Sequence, residues 1–102
     1  MKYVYPAIFK RDTDGIIVTF PDFCDTFTDG DTMEEAFENA EDVLNLMLWG
    51  KEENTKEIPF PTPADKISVS KDAILKVIEA DTSAFRKIYD KNLQSIVYTQ
   101  PH

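Results

Sequence analysis

Any chemistry in this chain has to come from carboxylates. Asp and Glu number 19 against 11 Lys and Arg, and there is a single cysteine and a single histidine. The carboxylates gather first at Asp12 and Asp14, then at Asp22, Asp25, Asp29 and Asp31, and again at Glu34, Glu35, Glu38, Glu41 and Asp42. Asp25, Asp29 and Gly30 match part of a calcium loop, but its third position is Phe27 and its twelfth is Ala36, where oxygen ligands are required. Asp12 and Asp14 fail the same test, because Phe23 stands where the closing glutamate belongs; they read as turn formers. One cysteine and one histidine cannot close a zinc site. Cys24 as a nucleophile needs a neighbouring base, and His102 is at the far end of the chain. It reads as a structural thiol or a turn residue. No general acid, base and substrate pocket come together. The expectation is no metal, no cofactor and no enzymatic activity.

The elements that would position these acids centre on Phe20 to Leu48. Thr32 and Glu35 have capping-box spacing, T-x-x-E, in which the hydroxyl accepts an orphan amide and the glutamate reaches back to the cap. Asp31, Glu34 and Glu35 put negative charge at the positive end of the helix dipole. Met33, Ala36, Phe37, Ala40, Val43, Leu44, Met47 and Leu48 recur at three- and four-residue steps and form one apolar face. Gly50 is where this helix is expected to end. Its glutamates fall on the other side, as the solvated face of a helix does.

Ahead of the helix, Lys2 to Lys10 reads as a strand with apolar residues on both faces, covered on both sides over part of its length. Pro6 has no N–H for a ladder, so the strand should lack a neighbour on that side there. Arg11 to Gly15 is a hairpin connection, with Asp14-Gly15 supplying the positive φ of a tight turn. Gly15 to Phe20 returns antiparallel, Pro21-Asp22 ends it, and Asp25 to Thr28 forms a short third strand. After the helix, Lys51 to Lys66 is a polar, proline-rich surface connection. Ala73 to Glu79 reads as a fourth strand, Asp81 as the cap of a short second helix, and Ser95 to Thr99 as a last strand.

The 102 residues, 42% of them hydrophobic, fit one folded domain, assigned to residues 1–91, with residues 92–102 a tail or short strand. A net charge of -8 argues against a nucleic-acid backbone as the main partner and favours a basic one. The lone cysteine, the absence of a signal-like start and the lack of a long apolar run together predict a cytoplasmic protein.

The order Y-P-A, D-G, F-P-D, G-D-T, E-E-A, E-N-A and I-P-x-P, running to about Pro63, resembles the HicB family of antitoxins. The acid-capped A-D-T-S-A-F-R-K-I-Y resembles the family's following helix. The resemblance implies an α+β, partial ribonuclease-H-like fold: an antiparallel three-stranded meander, a main helix, a fourth strand and a short second helix. A catalytic ribonuclease H carries a carboxylate on its first strand, and Met1 to Arg11 has none. The implied role is therefore binding: an antitoxin that holds and neutralises a small, basic, RNA-cleaving toxin of the HicA type. The alternative is an orphan regulatory or binding domain with no toxin. Many family members end in a DNA-binding unit, for which Asn92 to His102 is too short and not basic, so DNA binding by this chain is not expected. Ser95 to Thr99 at a free edge predicts a homodimer or homotetramer. The expected partner surface comprises Asp22, Phe23, Asp25, Asp29 and Asp31, around the turns between sheet and helix. Asp22 and Asp25 are favoured because they have the least local work to do.

Overall fold

The structure, a computed structural model, describes residues 2–84. Strands β1 (Lys2–Asp12), β2 (Gly15–Phe20) and β3 (Phe23–Gly30) precede a helix, α1 (Met33–Glu53), and a fourth strand, β4 (Ala73–Asp81). They form one antiparallel sheet in the order β3-β2-β1-β4, so the first strand is central and the last joins its open side. This is the α+β arrangement of meander, main helix and fourth strand expected from the sequence. The second helix beyond Ala84, the strand over Ser95 to Thr99 and the tail 92–102 lie outside the described residues.

The core fills the space between one sheet face and α1. Tyr5, Ala7 and Phe9 of β1, Ile16, Val18 and Phe20 of β2, and Ile78 and Ala80 of β4 are buried against Ala36, Ala40, Leu44 and Leu48 of the helix. Their alternation along each strand follows from the two-residue period of a pleated chain. Two alanines on the helix's deepest line let its first half lie close to the sheet. The approach is tightest at Gly30, where a Cβ would come within 2.4 Å of the Ala36 amide nitrogen. Gly15 takes the positive φ of the hairpin, 148°, and a side chain there would strike the Gly30 carbonyl at 2.7 Å.

Several details refine or change these expectations. On the other face of β1 Pro6 is buried and Ile8 half-buried, while Val4 lies 46% exposed and Ile17, Phe27 and Val77 on the other strands are also open. Phe37 is half-buried at the margin of the core and stacks on Phe9, ring centroids 6.2 Å apart, with the Lys76 ammonium above it. The helix does not stop at Gly50, whose position is open enough to need no special backbone. It runs to Glu53, where Asn54 caps it and Thr55 takes the left-handed φ of 51°. The third strand is longer than Asp25 to Thr28 because a register irregularity at Thr19/Phe20 lets Phe23 pair with Phe20. Pro6 is where expected: pairing with β2 begins only at Ile8, so no donor is missed there.

Residues 54–63 cross the end of the sheet without regular structure and are tied down at two points. The Tyr5 hydroxyl donates to the Pro59 carbonyl, and the Asp22 carboxylate accepts from both the amide and the hydroxyl of Thr62. Between the ties Phe60 projects into solvent, 95% exposed.

Candidate functional site

The β2–β3 hairpin and the start of α1 carry every acid proposed from sequence, but they do not bring them together. Asp22 sits at the turn after β2, while Asp29 and Asp31 sit at the opposite end of β3, next to the first hairpin. At about 3.3 Å per strand residue the two groups lie roughly 25–30 Å apart. Asp25 falls between them. The sequence placed all of these around one sheet-to-helix junction; the length of β3 separates them.

Each has its own setting. Asp22 is half-buried, and its carboxylate is engaged by Thr62, so the expectation that it has little local work is overturned. Its charge, after burial, also helps to raise the pKa of the Tyr5 phenol. Phe23 is 5% exposed and packs edge-on against Tyr5 at 4.7 Å, so it belongs to the core and drops out of the contact surface. Asp25 is exposed, with only a 3.4 Å contact from the neighbouring Thr26 hydroxyl. Asp29 is exposed through its carboxylate, while its backbone carbonyl accepts from Asn39 at 2.8 Å.

Asp31 precedes the cap. The Thr32 hydroxyl accepts from the Glu35 amide at 3.1 Å, as the capping-box spacing requires. Glu35 returns to the Asp31 amide at 3.2 Å, one residue earlier than the cap itself.

What the fold does assemble is a cleft of about 280 Å³ with five carboxylates on its walls: Asp12, Asp14, Asp29, Asp31 and Glu35. Among the described residues no Lys or Arg lines it. The antiparallel register that sets Ile16 opposite Gly30 carries the first hairpin's acids to the helix start. Asp12 and Asp14 were read from sequence only as turn formers, and their partnership with Asp29 was hidden because it depends on that register. Among the described residues no group of three or more His, Cys, Asp or Glu is placed to hold a metal ion. Cys24 is exposed, on β3. No helix among the described residues is long and apolar enough to cross a membrane.

At the opposite end of the sheet, Glu52 of α1 accepts from the Tyr3 hydroxyl at 2.6 Å and from the buried Thr82 hydroxyl at 3.0 Å. Burial first, then the hydrogen bond and charge of Glu52, push the Tyr3 pKa up to about 12. Beside this network Asp81 accepts from the amides of Ser83 and Ala84, so the expected cap is present where the described chain ends.

A family model described as HicB_like antitoxin of bacterial toxin-antitoxin system matches residues 5–96. The chain is similar to a protein named Antitoxin HicB 2 from Photorhabdus laumondii, 32% identical over 99 residues, covering 95% of this chain and 71% of that one. It is 38% identical over 77 residues to Antitoxin HicB 1 of the same organism, covering 72% of this chain and 50% of that one. It is 31% identical over 81 residues to an uncharacterised 14.9 kDa protein of Haemophilus phage HP1, covering 76% of this chain. The chain thus spans only 61% of the phage protein and half of Antitoxin HicB 1.

Among solved structures, the fold resembles a chain of a toxin-antitoxin complex from Streptococcus pneumoniae with a TM-score of 0.75 at 24% identity. That match covers 83% of this chain and 73% of the other. A chain of a HicA3 and HicB3 toxin-antitoxin complex matches with a TM-score of 0.62 at 22% identity, covering 78% and 99%.

Proposed function

The chain belongs to the HicB-like antitoxin family, and we propose that it binds and neutralises a small, basic, RNA-cleaving toxin of the HicA type. It does so by protein–protein contact and without catalysis of its own, in the cytoplasm. The observation that supports this reading is the cleft where five carboxylates from the first hairpin, β3 and the helix start converge, with no cation among the described residues that line it. Asp12 and Asp29 are held on paired strands and Glu35 on a capped helix, while Asp14 and Asp31 sit in the short turns that join them, so a cationic partner meets a charge pattern that is already in place. Such a field raises association rates and favours partners of opposite sign. Asp25 and Asp29 on β3, with Asp31 at the helix start, are the contact positions; Asp22 holds the chain that follows the helix.

The scaffold is read as a partial ribonuclease-H-like fold over residues 1–91, used for binding. Association of the chain with itself, as a dimer or tetramer, is part of the same reading and is tested by sedimentation of the full chain.

The functional test is co-expression with a HicA-type toxin, together with a binding titration against a catalytically inactive form of that toxin. Asp25→Lys with Asp29→Lys should keep the circular dichroism of the unaltered chain and lose both binding and rescue of growth. A folded double variant that binds and rescues as before removes these acids from the interface. Failure of the unaltered chain to bind sinks the antitoxin reading.

A further inference from the structure

Among the described residues, the sheet face turned away from α1 carries open apolar side chains around a buried Pro6 and a half-buried Ile8. Val4 is 46% exposed, Ile17 39%, Phe27 69% and Val77 52%. They belong to four different strands, and the alternation that buries Tyr5, Val18 and Ile78 on one side turns these four to the other. Ile8 and Leu75, opposite each other in the β1–β4 register, join them across the middle. Scattered exposed apolar residues need no explanation, but a contiguous set spanning a whole sheet marks an interaction surface.

The rim says what kind of partner fits. On one edge strand Phe27 stands between Asp25 and Asp29, and on the other Val77 is followed by Glu79 and Asp81. The lysines on this face are already near carboxylates: Lys10 is 3.9 Å from Asp72, and Lys2 lies opposite Asp81 in the register. Among the described residues, an apolar centre flanked by Asp25 and Asp29 on one edge and Glu79 on the other suits a partner with an apolar patch ringed by Lys or Arg. A second copy of this chain would set acid against acid, on a protein whose net charge is already -8.

We propose that this outer sheet face, centred on Phe27 and Val77, is the seat of the basic toxin. The inference rests on the functional reading above and extends it, because the acids of β3 then form the rim of a larger apolar contact. In such interfaces an aromatic anchor in a desolvated centre carries much of the affinity, while rim charges steer encounter.

The experiment is titration of the full chain with the same inactive HicA-type toxin. Phe27→Lys and, separately, Val77→Lys should each weaken binding by at least about tenfold, the scale of losing one central anchor. Leu46→Lys, on the exposed side of α1, should change nothing. Circular dichroism checks that each variant is folded. In a parallel measurement, Phe27→Cys is made in a Cys24→Ser background and its thiol labelled. It should react fast in the free chain and slowly once the toxin is added.

Wild-type binding that survives both Lys variants overturns this surface and leaves the functional reading standing; absence of wild-type binding overturns both. Slow labelling in the free chain at micromolar concentration also overturns the proposal. In that case a concentration dependence would identify a second copy as the occupant, and none would identify residues 85–102.

Discussion

Asp22 illustrates how one side chain can be diverted from a surface role. Its carboxylate accepts from the amide and hydroxyl of Thr62, forty residues on, and so fastens the proline-rich segment across the end of the sheet. Hydrogen bonds to a charged group contribute about 1.5–3 kcal/mol, so Asp22→Ala should destabilise by about that much. Native-state hydrogen exchange should show the Thr62 amide losing protection first. Phe37 is diverted the opposite way. Half-buried and stacked on Phe9, it should cost about 2–3 kcal/mol on truncation to Ala, less than the fully buried Leu44 at about 3–5. Denaturant melts of the two variants would give that order or contradict it.

Tyr3 supplies a pH signature. Its phenol is protonated in the fold up to about pH 12 but only to about pH 10 when unfolded, so the unfolded chain loses the proton first. This contribution is fully present below pH 10 and is lost as pH rises toward 12. Tyr3→Phe should flatten that part of the stability profile, read from melts across the range.

At the scale of elements, α1 organises the chain, and its beginning is specified more tightly than its end. The cap at Thr32, the return of Glu35 and the close approach at Gly30 all act within one turn of its start. Thr32→Ala should cost about 1 kcal/mol in a denaturant melt. Gly30→Ala should cost more, since the added methyl meets backbone at Ala36. This start was legible in the sequence because caps and helical periodicity are local signals. The end was not: Gly50 looked like a stop, yet nothing there demands glycine, and packing of Leu44 and Leu48 carries the helix to Glu53.

Strand existence was likewise readable from alternation, and the gap in pairing beside Pro6 followed from its missing donor. Non-local facts were not readable. The partnership of Asp12 and Asp14 with Asp29 depends on register, and the burial of Phe23 depends on an irregularity at Thr19/Phe20. The tie from Asp22 to Thr62 spans a connection whose path no local pattern encodes.

For the whole molecule, the helix covers one face of the sheet, and among the described residues the other face keeps its apolar side chains open. On the proposed reading, a basic partner completes this face. Charge of this kind acts over about 8–10 Å at ordinary ionic strength, so toxin association should slow steeply as salt rises. Stopped-flow mixing at several salt concentrations measures it. Dissociation, set by the apolar centre, should change much less.

The central claim is that acids held along β3 and at the helix start recognise a basic toxin. Its most direct test is a binding titration of the inactive HicA-type toxin against the unaltered chain and against Asp25→Lys with Asp29→Lys, each confirmed as folded. Tight binding by the first and at least about tenfold weaker binding by the second, expressed mainly as slower association, is the result expected, since charges on the rim of an interface steer encounter. Equal affinities would contradict it.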